Sequence, residues 1–145
     1  MLKVNFYELN SVEDKKLAFA VIMAKLNGKW IYVKHKNRET WEIPGGHREI
    51  NEDIDAAASR ELFEETGAAK FNLSPVCIYS VEENKDINYT ESFGQLFYSE
   101  VEEVEKLPDF EIGEIKLFEN IPDNLTYPLI QPILHEKVLE FLKQN

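Results

Sequence analysis

The chain has 145 residues and a formal net charge of −11 at pH 7, a length suited to one domain whose single core buries roughly two-thirds of the unfolded surface. Hydrophobic residues at 43%, aromatics at 12% and charged residues at 30% describe a folded, soluble protein and argue against a disordered or membrane-embedded one. The acidic balance argues against non-specific attachment to duplex nucleic acid or an anionic membrane, yet it leaves room for a nucleotide held through metal ions.

Cys77 is the sole cysteine, so an internal disulfide is impossible and a reducing, cytoplasmic setting is expected. Its surroundings, Pro75-Val76-Cys77-Ile78-Tyr79, read as a strand, which makes it a buried structural thiol. The longest uninterrupted apolar run, Leu17 to Ala24, is too short to span a bilayer. The N-terminus lacks the basic and then apolar regions of a leader.

In chain order, Val4, Phe6 and Glu8 alternate in a short first strand. Leu17 to Lys25, nearly all apolar, is a buried strand. Asn27-Gly28 turns it tightly into a returning strand, Lys29 to His35. Lys34, His35, Lys36 and Arg38 form the one basic cluster: either a solvated loop or a face turned toward substrate phosphates. Trp41-Glu42-Ile43 reads as a brief strand, and Trp41 either stacks on a base or fills the core. Pro44-Gly45-Gly46 reads as a turn whose glycines let backbone carbonyls approach a ligand closely.

A helix is predicted from Ile54 to Thr66, with Asp53 as N-cap, Ala56-Ala57-Ala58 favouring helix and Gly67 as a left-handed C-terminal residue. At about 100° per residue, Glu61, Glu64 and Glu65 share one side of it with Arg60. Carboxylates crowded in this way repel one another, and binding of a hard cation such as magnesium gives them a purpose. Leu62 and Phe63, with Ala56, Ser59 and Thr66, are expected to face a sheet.

Further on, Phe71 to Val81 reads as a strand, Glu82 to Asn88 as a polar loop, and Tyr89 to Val101 as another strand, with Gly94 marking a bulge or a close backbone approach. Glu100 to Glu105 reads as a solvated end. Glu111 to Phe118 contains a strand, and Pro128 to Leu142 a C-terminal helix that covers the sheet, with Pro132 tolerated in its first turns.

Gly46, Glu52, Arg60-Glu61-Leu62, Glu64-Glu65 and Gly67 stand at the spacing G-x5-E-x7-R-E-U-x-E-E-x-G-U, where U is bulky and aliphatic. This resembles the Nudix box. Ala68, at the last U, is the one departure and concerns packing rather than chemistry. The resemblance implies an α/β fold, the Nudix α/β/α sandwich with a mixed β-sheet between helices, occupying residues 1–145 as a single domain. It implies a MutT-like hydrolase, in which magnesium, with manganese a substitute, serves cleavage of a nucleoside diphosphate linked to another group.

By the same resemblance, Glu61, Glu64 and Glu65 hold metal with a carbonyl of Gly45 or Gly46, and Arg60 holds the glutamates in place. Glu49 approaches the metal region, and Glu52 fixes the loop onto Arg60. Glu111 resembles a late glutamate that serves as extra ligand or base; the alternative is an exposed residue at a strand start. The base is Glu61, Glu64 or Glu111. Lys34, Arg38, Trp41 and Arg48 are the candidate substrate contacts.

Glu83 stands where ADP-ribose enzymes carry a proline, and Lys85 where diadenosine-polyphosphate enzymes carry a tyrosine, with Tyr89 nearby. Elimination leaves a small-molecule nucleotide, a nucleoside triphosphate or an oxidised one such as 8-oxo-dGTP, split to monophosphate and pyrophosphate. The alternatives are a dinucleoside polyphosphate or nucleotide-sugar hydrolase, or a silent nucleotide-binding regulator. Assembly as a monomer or homodimer is left open.

Overall fold

The computed structural model describes residues 1–109 and 111–144. The chain runs β1 (Leu2–Tyr7), a 3-10 turn (Asp14–Lys16), β2 (Leu17–Leu26), β3 (Lys29–His35), β4 (Gly45–His47), α1 (Ile54–Thr66), β5 (Ala68–Phe71), β6 (Ser74–Lys85), β7 (Asn88–Val104), β8 (Ile112–Phe118) and α2 (Gln131–Gln144). The sheet order is β1-β6-β7-β2-β3-β8, with β4 added to β2 and β5 to β7. Among the pairs of strands named here β2–β7 is parallel and the others are antiparallel, so the sheet is mixed.

Strand alternation sorts the core into two layers. Ala20, Ile22, Ala24, Ile31, Val33 and Phe97 pack with Ala57, Ala58 and Leu62 of α1. Met23, Trp30, Tyr32, Leu96 and Tyr98 pack with Leu134 and Val138 of α2. One helix therefore covers each face, giving the expected α/β/α sandwich. Cys77 is buried in the α2-side layer, and burial pushes its thiol up to about 11.

The expected hairpin is present: Asn27 and Gly28 both take positive φ, 54° and 79°, as a two-residue turn between right-twisted strands requires. The helix bounds also hold, with Asp53 extended before α1 and Gly67 at φ 78° donating its N–H to Phe63 C=O. The face does not hold for every residue. Phe63 and Ala56 are exposed, while Ile54, Ala57, Ala58, Leu62 and Thr66 are buried. Neighbouring residues on a helix diverge by about 100°, so Leu62 at the centre of the buried stripe turns Phe63 outward.

Other boundaries shift for local reasons. Asn72 and Leu73 divide the strand read from Phe71 to Val81 into β5 and β6. The polar stretch from Glu82 is strand up to Lys85, closed by Asp86-Ile87 with Asp86 at positive φ. Glu100–Val104 continues β7 and pairs with β5. The last helix begins at Gln131, with Pro132 in its first turn, where its missing N–H costs nothing.

One feature positions the site. β2 and β3 pair only near their turn, Lys25 with Trp30 and Leu26 with Lys29. Beyond it they part, and residues 42–47 enter the gap. Glu42 exchanges two backbone hydrogen bonds with Val33 at 2.9 Å, Ile22 N–H donates to Pro44 C=O at 2.9 Å, and β4 pairs with Phe19–Val21.

This corrects the expected strand at Trp41–Ile43 and the expected turn at Pro44–Gly46. Trp41 and Glu42 make isolated bridges, and the glycines themselves are the strand. A Cβ on Gly45 would run into Ala20 C=O. Gly45 is therefore needed for its missing side chain rather than for turn-forming freedom.

Candidate active site

The fork brings β4 against α1, and Arg60 ties the two together. Its Nε donates to Glu52 Oε2 at 2.7 Å and Nη2 to Glu52 Oε1 at 2.9 Å. Nη2 also reaches His47 C=O at 3.0 Å, while Nη1 reaches Glu61 Oε1 at 2.9 Å and Glu64 Oε1 at 3.4 Å. Glu52 in turn accepts the Glu49 N–H at 2.9 Å. The guanidinium thus locks the chain entering α1 to the acidic face of α1, using the bidentate geometry that suits arginine.

A cavity of about 680 Å³ opens beside this network, between α1, β4 and the start of α2. Of the residues singled out in the sequence, Glu61, Glu64, Glu65, Glu111, Glu49 and Arg60 line it, as do Gly45, Gly46, Arg38 and Arg48. Glu52 stands behind them on Arg60. Arg48 is held by Asp14 at 2.9 Å.

Lys34 and Trp41 lie elsewhere. Lys34 Nζ sits 4.6 Å from the centre of the Trp41 ring and 3.6 Å from Glu114, and Trp41 packs edge-on against Phe118 beside a separate recess. Strand alternation explains the divergence, since consecutive Lys34 and His35 face opposite sides of the sheet.

His35 and buried Glu42 are cavity residues that the motif does not contain. Glu42 Oε1 lies 3.0 Å from His35 Nε2, and its Oε2 accepts from Arg38 Nη1 at 2.9 Å. His35 lies 3.8 Å from both Glu65 and Glu111. The sequence marked His35 only as one member of the basic cluster, and Glu42 only as a lone carboxylate within Trp-Glu-Ile.

The carboxylates differ in setting. Glu65 is nearly fully buried and accepts the Gly45 N–H at 3.0 Å. Burial pushes its carboxyl up to about 8, opposed by that N–H and reinforced by Glu61, Glu42 and Glu111. Burial likewise raises Glu61 to about 7, opposed by Arg60 and reinforced by Glu64 and Glu111. Gly46 makes room for this, because a Cβ there would collide with the Glu61 carboxylate.

Among the described residues, no three acidic, histidine or cysteine side chains are already gathered around a point that would hold a cation. Arg60 and the Gly45 N–H currently hold the carboxylate oxygens. The donor set nevertheless fits a hard divalent cation. It offers oxygens from several carboxylates beside the backbone of Gly45 and Gly46, in a place where burial makes uncompensated negative charge costly.

A family model described as the NUDIX domain matches residues 14–126. The chain is 32% identical over 106 residues to YtkD of Bacillus subtilis, whose provisional name is 8-oxo-dGTP diphosphatase; the match covers 72% of this chain and 64% of that protein. It therefore spans less than two-thirds of that relative's length. Among solved structures, the fold resembles the B. subtilis pyrophosphohydrolase BsRppH, at TM-score 0.76 and 24% identity, covering 97% of this chain and 90% of that one. It also resembles a UDP-X diphosphatase, at TM-score 0.72 and 18% identity, covering 94% and 67%. With its box seated between β4 and α1, the chain belongs to the Nudix family.

Proposed function

We propose that the protein is a magnesium-dependent pyrophosphohydrolase that cleaves a nucleoside triphosphate, oxidised forms such as 8-oxo-dGTP included, to the monophosphate and pyrophosphate. The observation that carries this reading is the two-sided cavity: carboxylates of α1 gathered by Arg60 on one side, and an apolar wall with room for a nucleoside on the other. The relative named for 8-oxo-dGTP supports the substrate class.

Glu61, Glu64 and Glu65, with a carbonyl of Gly45 or Gly46, would hold the cation. Magnesium, with manganese as a substitute, supplies neutralisation of phosphate charge. Arg60 keeps Glu61 and Glu64 from separating under their mutual repulsion. Arg38 and Arg48, both on the cavity wall, contribute positive charge toward the polyphosphate. Glu111 lies outside the Arg60 network, across from α1 and beside His35. It takes the proton of the attacking water as the new phosphorus–oxygen bond forms and the bridging bond breaks.

The test is product release from a panel of nucleoside triphosphates, oxidised nucleotides, ADP-ribose, nucleotide sugars and dinucleoside polyphosphates, with and without magnesium. Magnesium-dependent pyrophosphate release from a triphosphate is the expected result. Glu64→Gln should lower that rate at least about 10²-fold. Silence across the panel in protein that still binds nucleotide overturns the reading in favour of a binding domain.

A further inference from the structure

A cavity of about 370 Å³ lies against the α1 side of the sheet, between the segment that follows β1, the first turn of α1 and strands β6 and β7. It shares no lining residue with the catalytic cavity. Leu17, Ile54 and Ile78, all core residues of the α1-side layer, form its floor, and Val12 packs beside them.

One polar side chain breaks into that floor. Gln95, from the middle of β7, is 8% exposed and stands in the ladder between Ala20 of β2 and Ile78 of β6. Among the described residues nothing hydrogen-bonds its side-chain amide, yet neither of its polar atoms is sealed from open space. The space it borders is this cavity. The amide therefore turns its oxygen and its N–H groups inward, ready to accept or to donate. A buried amide without a partner costs stability, so packing alone does not account for a glutamine at this core position.

The mouth of the cavity is acidic. Asp14, Asp53 and Asp55 line it, and no lysine or arginine does. Asp14 is held by Arg48. The exposed carboxylates of Asp53 and Asp55 have no hydrogen-bond or ion-pair partner among the described residues, and the Asp53 side chain does not cap α1. Even with Asp14 neutralised by Arg48, two free carboxylates outweigh the partial positive charge of a helix N-terminus, roughly half an elementary charge. The cavity is thus built for a cation rather than an anion.

The floor decides which kind of cation. A bare inorganic ion leaves the apolar surface uncovered. An aliphatic chain covers it while its charged ends stay near water and the carboxylates, as lysine stems do on protein surfaces.

We infer that this cavity binds a linear polyamine, an aliphatic chain carrying several ammonium groups. Gln95 Oε1 accepts from one nitrogen, the methylenes lie on Leu17, Ile54 and Ile78, and a second nitrogen sits between Asp53 and Asp55. The site does not depend on the nucleotide reading above.

The test is calorimetric titration of the metal-free full chain with spermidine at about 0.15 M salt, where exposed charges are largely screened. Saturable binding is expected. Gln95→Leu keeps every carboxylate and removes only the inner acceptor. It should weaken binding at least about tenfold, as for the loss of one hydrogen bond to a charged group.

Asp53→Asn combined with Asp55→Asn alters exposed side chains only. It should weaken binding as well, and it serves if the leucine variant fails to fold. Glu64→Gln, in the catalytic cavity, should leave the affinity unchanged, and ammonium chloride, the chain-free control, should not displace spermidine. The inference is overturned by an absence of saturable binding, or by an affinity unchanged in Gln95→Leu or in the aspartate pair. Loss of binding in Glu64→Gln would overturn it by placing the polyamine among the catalytic carboxylates. Displacement by ammonium chloride would overturn it by reducing the site to an adventitious ion only.

Discussion

Arg60 grips both carboxylate oxygens of Glu52, Nε to Oε2 at 2.7 Å and Nη2 to Oε1 at 2.9 Å, across the turn that joins β4 to α1. Those hydrogen bonds, with the Glu49 N–H, hold the Glu52 carboxyl down at about 2. A folded-state value below the unfolded one means that the stabilisation is complete above about pH 4.5 and is lost as the pH falls from there toward 2. Glu52→Gln should cost about 1–2 kcal/mol at pH 7. Urea denaturation should show the difference from wild type shrinking between pH 5 and pH 3. A difference that does not change with pH would show that the ion pair is not its source.

The two glycines of β4 separate function from stability. A side chain at Gly46 meets the movable end of Glu61, whereas one at Gly45 meets the backbone C=O of Ala20. Gly46→Ala should keep its melting temperature within a few degrees and lose at least about 10²-fold in turnover, as for displacing a group that acts electrostatically. Gly45→Ala should lose about 1–3 kcal/mol of stability, the range for overpacking. Paired thermal melts and rate assays decide the matter, and equal behaviour of the two variants would refute the distinction.

Glu65 is buried beside three other carboxylates, which makes its charge costly without a cation. Glu65→Gln keeps an oxygen for the Gly45 N–H. In EDTA at pH 8 it should melt higher than wild type. Added magnesium should raise the wild-type melting temperature and leave the variant nearly unmoved. A wild type that ignores magnesium in this assay would count against Glu65 as a ligand.

His135 is buried against Tyr32, with Nδ1 2.9 Å from the Tyr32 hydroxyl. Burial lowers its proton affinity below the usual histidine range, opposed by Glu136. A depressed value means that its stabilisation is complete above about pH 6.5 and falls as the pH drops through and below that point. His135→Gln should flatten the loss of stability between pH 7.5 and pH 5.5 relative to wild type. Denaturation midpoints across that interval provide the check, and parallel curves would assign the loss to other groups.

Local chemistry made much of this protein legible before any fold was known. The bounds of α1 follow from Asp53 before it and left-handed Gly67 after it, and the β2–β3 hairpin follows from Asn27-Gly28, because capping and positive-φ turns depend on a few adjacent residues. The box spacing likewise identified the family, since residues three and four apart share a helix face wherever that helix packs. What the sequence could not disclose depends on contacts distant along the chain. β4 is three residues with two glycines and has no period to read; it is a strand only because β2 and β3 part and leave backbone groups to be met. His35, Glu42 and Gln131 belong to the cavity, and Lys34 and Trp41 do not, because the fork and the seating of α2 set which side of the sheet each residue faces.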